Sequence, residues 1–349
     1  MKKGEPFIKK EYSRLICTKA MIFSHTKKPY KKGFNCLLKP IIVIGGPSTS
    51  GKSNLAAALS YEFNGVVINA DSMQVYRGLE ITSGAPTFKL RSSCPHFLYG
   101  VLDPKDSCSA GMWRDLAVEQ INKAHRNDCI PVVVGGTGLY LRSLINGINK
   151  IPPVLRSVRK NIRDRIKNEG PEGLHSELAA YDPESASRIA SSDKQRIARA
   201  LEIYFSTGKK LSDWLTSIQT VEQKYIFFTI TILPERQLLY RYCDQRFLTM
   251  VENGIIEEVA SLIARRLSYC LPAMKALGVK QISAYLQGDI PLDEAISLSQ
   301  LATRQYVKRQ FTWFRNQIVT DMIIKEKYSE KIREEIFSDV RKFLLTNSI

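Results

Sequence analysis

Four short stretches of the chain, residues 41–45, 65–70, 130–135 and 225–233, are almost wholly apolar and rich in Val and Ile. A strand with one wet face alternates apolar and polar residues; an unbroken apolar run of this length is expected of a strand covered on both faces, as in a parallel sheet. Helical sequence separates the runs. The alternation predicts an α/β fold whose ligand site lies beyond the carboxyl ends of the strands.

The texture changes between the third and fourth runs. Pro152 and Pro153 break the chain, and residues 154–215 are helical, basic and without a strand-like run. We therefore expect a helical subdomain, residues 151–215, inserted into a core made from residues 39–150 and 216–349. Within it Asp193 is placed to cap a helix, with Ile197, Leu201 and Tyr204 as the buried stripe and Gly208 as the stop. Arg196 and Arg199 then fall off that stripe. After the fourth run, helices are predicted over 238–253, 255–267 and 298–318. In the last, Val307, Phe311, Phe314 and Ile318 share a side, and Tyr306, Arg309 and Trp313 project from the opposite one.

Charge narrows the partners. The chain of 349 residues carries 51 Lys and Arg against 34 Asp and Glu, a surplus of +17 that favours polyanions. Residues 1–40 hold eleven of the bases against Glu5 and Glu11, so about half of the surplus sits in a segment without a sustained apolar period. Residues 1–38 are expected to be a disordered basic arm. An organellar transit peptide competes, favoured by the low acid content but weakened because Lys outnumbers Arg. The seven cysteines form no C-x-x-C pair and have no histidine at ligand spacing, which argues against a zinc site or a disulfide framework. No stretch approaches the ~18 apolar residues that span a bilayer. A cytoplasmic protein with no membrane partner is expected.

The strongest local chemistry is Gly46-Pro47-Ser48-Thr49-Ser50-Gly51-Lys52-Ser53, directly after the first run and before helical sequence. In that setting backbone N–H groups at a helix start wrap a phosphate, Lys52 sits on its oxygens and Ser53 offers a hydroxyl to Mg²⁺. Asp71 opens the segment after the second run and is a metal ligand, a base or a helix cap on this evidence alone. Gly135-Gly136-Thr137-Gly138 brings a backbone-exposing turn and a hydroxyl to the same edge after the third. Three strand ends converging on a phosphate loop imply phosphoryl or pyrophosphate chemistry, which a nucleotide kinase also satisfies.

Seven blocks occur in order: GPSTSGKS, INADSMQVYRGLEI, PHFLYGVLDP, VVVGGTGLYLRSLINGI, DKQRIARALEIYFSTGK, LPAMKALGVKQISAYLQG and ATRQYVKRQFTWFRNQ. Together, across about residues 41–318, they resemble the tRNA isopentenyltransferase (tRNA dimethylallyltransferase) family of bacterial type. The resemblance implies a P-loop NTPase-like core and transfer of a dimethylallyl group from dimethylallyl diphosphate to N6 of the adenosine 3′ of the anticodon. The tRNAs concerned read codons beginning with U. It implies Mg²⁺ as cofactor, the tRNA anticodon stem-loop as partner and Asp71 as general base, with Thr137 near the reacting groups and residues 46–53 and Arg246 on the diphosphate. For Arg246 a surface ion pair is nearly as good a reading. The tRNA contacts it implies are Asp71, Ser72, Met73, Gln74, Thr137, Arg159, Gln195, Arg196, Ile197, Ala198 and Arg199. A monomer is expected, one tRNA being clamped between core and insert.

The chain departs from the family pattern at Ala85, where a Lys before Pro86 is usual, at Met73 and at Phe97; these bear on tRNA affinity more than on reaction type. The alternatives are a small-molecule P-loop kinase with residues 154–215 as its lid, an adenylate isopentenyltransferase, and a non-catalytic RNA-binding protein.

Overall fold

All four apolar runs are strands of one parallel sheet. The computed structural model describes residues 38–149, 151–216 and 224–347, so the expected basic arm lies outside the described residues except for Leu38. The strands are β1 (Lys39–Gly45), β2 (Gly65–Asn69), β3 (His96–Phe97), β4 (Ile130–Gly135), β5 (Tyr225–Ile232) and β6 (Met322–Ile324). Among the described residues they form a sheet of order β3-β2-β4-β1-β5-β6, parallel at every pairing. The edge strands β3 and β6 were not foreseen: two and three residues are too few to leave a period in the sequence.

The sheet explains the unbroken runs. Ile41, Val43, Ile68 and Val133 pack into one hydrophobic cluster, while Ile42, Ile44, Val67, Val132 and Val134 pack into another on the opposite face. Both sides of β1, β2 and β4 are therefore covered, each buried aliphatic side chain contributing about 1.5–3 kcal/mol. The covering helices before the insert are α1 (Lys52–Glu62), α2 (Phe88–Arg91), α3 (Ala110–Arg126) and α4 (Gly138–Ile145). Ser109 starts α3 by accepting a hydrogen bond from Met112 N–H at 3.1 Å, and Trp113 from that helix stacks on Tyr140 of α4 at 4.7 Å.

Five helices follow, α5 (Arg156–Glu169), α6 (Pro171–Tyr181), α7 (Pro183–Arg188), α8 (Lys194–Thr207) and α9 (Leu211–Thr216). They bury their own cluster of Ile162, Leu174, Leu178, Ile197 and Leu201. Asp193 caps α8 through Arg196 N–H at 3.1 Å, and Gly208, at φ 70°, ends it in the left-handed conformation that glycine adopts without strain. The carboxylate of buried Asp182 ties two helix starts together, accepting from Ser185 N–H at 3.1 Å and Ser212 N–H at 3.0 Å.

The last part contains α10 (Arg236–Glu252), α11 (Ile255–Ala264), α12 (Val279–Leu286), α13 (Leu292–Asn316) and α14 (Arg333–Thr346). Helices α12 and α14 were not read from the sequence, and α13 begins six residues earlier than predicted, with Asp293 and Glu294 in its first turn. Acidic side chains favour that end of a helix, and the apolar period alone does not register them. Val307 packs against Leu239 and Cys243 of α10, and the ring of Phe314 lies over Gly45, so α13 reaches across the carboxyl end of β1.

Candidate active site

The site is built where three neighbouring strands end. Gly45 of β1 lies beside Gly135 of β4, and Val134 beside Asn69 of β2. The segments after β1, β2 and β4 therefore emerge side by side. Close approach demands small residues: a Cβ on Gly135 would collide with the carbonyl of Ala70, and one on Gly46 with the carbonyl of Ile232.

Residues 46–53 make the turn from β1 into α1. Gly51 is left-handed at φ 92°, as is Thr49 at φ 65°, and the helix starts at Lys52. Such a turn aims successive backbone N–H groups into one concavity, the geometry that holds an anion. Lys52 Nζ donates to the carbonyl of Pro47 at 2.5 Å. Burial pushes its pKa down from 10.5 to about 8, with Arg246 adding to the fall and Asp71 opposing it. The hydroxyl of fully buried Ser50 has no hydrogen-bond partner, which leaves a polar atom in the loop wall for a ligand or water to satisfy.

Asp71 serves two ends at once. Its Oδ1 accepts from Met73 N–H at 2.9 Å, the turn-capping role that the sequence left open, while Oδ2 lies over Gly136. Buried Asn69 sets the approach: it accepts from Asp71 N–H at 2.9 Å and donates to the carbonyls of Asp71 and Leu98 at 3.1 and 3.0 Å. Thr137 Oγ1 accepts from Ser72 N–H at 2.9 Å and donates to Ser72 Oγ at 3.1 Å, linking the β4 turn to the Asp71 segment.

Arg246, on α10, comes to the same place. The surface ion pair weighed from the sequence is not made: the neighbouring carboxylate Asp244 is held by Arg304 at 2.6 Å, and Arg246 instead donates to the carbonyl of Gly84 at 2.6 Å. Burial lowers its pKa. Gly84, at φ 59°, is where a Cβ would overlap the guanidinium. Ala85, the departure from the family pattern, packs beside the second sheet cluster, so the basic group reaching this loop comes from Arg246. A pocket opens between Ser48, Thr49 and Arg246 on its polar side and Phe247, Met250 and Leu277 on its apolar side.

Two site residues were missed. Gln310 is buried, accepts from Ser48 N–H at 2.9 Å and donates to the carbonyl of Gly136 at 2.9 Å. One turn earlier, Tyr306 has its pKa raised, first by burial and then by Asp71. Both lie on α13; the sequence placed Tyr306 on the side away from the apolar stripe and gave Gln310 no role. Trp313 of that face packs on Gly138 instead of standing free.

The residues expected to touch tRNA divide. Gln195, Arg196 and Arg159 are exposed and Arg199 is half-buried, so all four are open to a partner. The side chains of Ile197 and Ala198 are buried among the insert's own helices and serve its packing, and half-buried Met73 packs against the first sheet cluster. The Gln74 amide donates to the carbonyls of Ser83 and Gly84 at 3.3 and 3.2 Å, which commits its Nε2 to the chain's own loop. Arg159 and Arg163 lie 3.6 Å from the buried carboxylate of Glu202 and Arg199 3.8 Å, so one negative charge holds three positive ones at the surface.

Mg²⁺ takes hard oxygen donors and commonly keeps waters and substrate phosphates with only one or two protein ligands. The Ser53 hydroxyl, in the first turn of α1 beside Lys52, is such a donor. A hydroxyl oxygen at the phosphate loop is of the donor type this ion takes.

Comparison with known proteins points to one family. A family model described as IPP transferase matches residues 74–317, and one described as isopentenyl transferase matches residues 39–95. The tRNA dimethylallyltransferase of Rhodospirillum centenum is 46% identical over 80% of this chain and 90% of its own length. That of Paramagnetospirillum magneticum is 41% identical over 88% and 98%. The crystal structure of the tRNA isopentenylpyrophosphate transferase of Bacillus halodurans superposes with a TM-score of 0.65 at 33% identity, covering 89% of this chain and 98% of that one. A eukaryotic dimethylallyltransferase solved acting on tRNA gives 0.74 at 27% identity, covering 88% and 79%. With that family model spanning more than half of the chain, and relatives this similar over four-fifths or more of its length, the chain belongs to the IPP transferase family.

Proposed function

We propose that this protein transfers a dimethylallyl group from dimethylallyl diphosphate to N6 of the adenosine 3′ of the anticodon, in tRNAs reading codons that begin with U, and releases diphosphate. One observation carries the reading. Asp71, with Oδ2 directed over Gly136, stands on the strand end next but one to the phosphate loop, so a base and a leaving-group site share one edge of the sheet.

The chemistry needs both. As the allylic C–O bond breaks, negative charge grows on the diphosphate and positive charge on the allyl group. The N–H groups of residues 49–53, Lys52 and Arg246 stabilise the former. Ser53 would hold Mg²⁺, which supplies further neutralising charge to the departing group. The adenine amine is a weak nucleophile because its lone pair is delocalised into the ring. Asp71 Oδ2 accepts the N6 proton as the C–N bond forms, a contribution of about 10²–10⁴-fold, and Thr137 orients the partners through Ser72. The apolar wall of Phe247, Met250 and Leu277 beside the loop suits a short prenyl chain.

The base lies in a stacked anticodon loop, so it has to be extruded to reach Asp71, and the exposed arginines around Glu202 suit the RNA backbone. We take the enzyme to act as a monomer in the cytoplasm; no helix among the described residues is long and apolar enough to cross a membrane.

The test uses purified protein, Mg²⁺ and an anticodon stem-loop with three consecutive adenosines around the target, with dimethylallyl diphosphate or ATP as donor and free adenylate as a competing acceptor. Mass spectrometry should find one five-carbon unit on the target adenosine, absent with Asp71→Ala. Prenylated adenylate in its place, or nucleotide phosphorylation, would overturn the assignment.

A further inference from the structure

The phosphate loop and the β4 turn meet through a side chain that belongs to neither. Gln310 Oε1 accepts from Ser48 N–H at 2.9 Å and from Ser48 Oγ at 3.3 Å, while Nε2 donates to the carbonyl of Gly136 at 2.9 Å. One planar amide thus spans the loop that receives the leaving group and the turn over which Asp71 Oδ2 lies. Its carrier is held firmly. Three residues on, Trp313 packs on Gly138; one turn on, Phe314 packs on Gly45; and further back Arg304 pairs with Asp244. Gln310 itself is only 5% exposed, so none of its three hydrogen bonds exchanges readily with water.

We propose that Gln310 is a positioning residue for the transfer, fixing the distance between the diphosphate loop and the Asp71–Thr137 side so that the allyl group meets the adenine amine before it meets water. The inference rests on the function proposed above. Every diphosphate cleaved has two fates. In transfer, the allylic C–O bond breaks, a C–N bond forms and the N6 proton goes to Asp71. In hydrolysis the same bond breaks, a water oxygen takes the allyl carbon, and the proton goes to solvent, giving dimethylallyl alcohol. Displacement of one partner by about 1 Å costs transfer about 10²-fold. Hydrolysis, whose nucleophile needs no such placement, suffers less.

The experiment measures prenylated RNA and dimethylallyl alcohol together, per diphosphate released, in the parent protein, Gln310→Met and Gln310→Asn. Methionine keeps the length and removes all three hydrogen bonds. Asparagine keeps both groups one methylene short. The ratio is taken over cleaved substrate, so it is insensitive to the fraction of protein folded. We expect the parent to give almost only RNA product. Gln310→Met should lose transfer about 10²-fold with the dissociation constants for dimethylallyl diphosphate and stem-loop changed less than about threefold, and its alcohol share should rise at least about tenfold. Gln310→Asn should fall between. Parent transfer with an unchanged alcohol share in both variants would overturn the inference alone, as would a loss of transfer that tracks weaker binding. No transfer by the parent would overturn the function and the inference with it.

Discussion

Raising the pH should weaken diphosphate binding in a window set by one side chain. Burial lowers Lys52 from 10.5 to about 8. At 1.36 kcal/mol per unit, carrying its charge costs the empty fold about 3 kcal/mol. The unfolded chain holds this proton up to 10.5, whereas the folded chain releases it from about 8, so between these values the folded state binds fewer protons. The cost is thus fully present below about 8, and stability rises with pH through the window. Binding runs the other way, because a diphosphate favours the protonated amine. Its dissociation constant should be flat below about pH 8 and then rise tenfold per unit, a loss of about 30-fold by pH 9.5. The ligand does not blur the result, since a terminal phosphate loses its last proton near pH 6. Of the groups facing Lys52, burial pushes Cys243 above its ordinary value and Arg246 stays a cation. The assay is calorimetric titration with a thio-bridged, unreactive analogue of dimethylallyl diphosphate, without RNA. Buffers of different ionisation heat count the proton taken up. Lys52→Met should bind weakly and show no break. A flat parent curve from about pH 7 to 9.5, or the same break in Lys52→Met, would refute the reasoning.

Three further outcomes are expected. Thr137→Val leaves Ser72 N–H without its 2.9 Å acceptor and should cost about 1–3 kcal/mol, read as a lower urea midpoint and a turnover reduced by tenfold or more. Gly138→Ala puts a Cβ into the indole of Trp313 and forces α13 aside, lowering stability by about 1–3 kcal/mol; an unchanged melting curve would contradict the packing described. Arg159→Gln should reduce the slope of log tRNA affinity against log salt by about 0.7–0.9, whereas Ile197→Val should leave that slope alone.

Much of this protein was written locally. An apolar run covered on both faces, a glycine that turns left-handed, and an aspartate one residue before a helix each act within a few residues of themselves. The central strands β1, β2, β4 and β5, the phosphate loop and the capped helix α8 were legible for that reason. Asp71 and Thr137 were found the same way, because strand ends in a parallel sheet converge wherever the strands are recognised. What the sequence does not carry is who meets whom at long range. Gln310 touches Ser48 across 262 positions and Gly136 across 174, and nothing near Gln310 marks it apart from the other polar residues of its helix. Arg246 was open between the diphosphate and a surface ion pair until Gly84, 162 positions away, took its guanidinium. Ile197 and Ala198 sat in a motif associated with tRNA; the apolar stripe already turned Ile197 inward, whereas the burial of Ala198 followed only from the packing of the insert. Periodicity is a property of one element. The contacts that close a site belong to several, and they exist only once hydrophobic burial has brought those elements together.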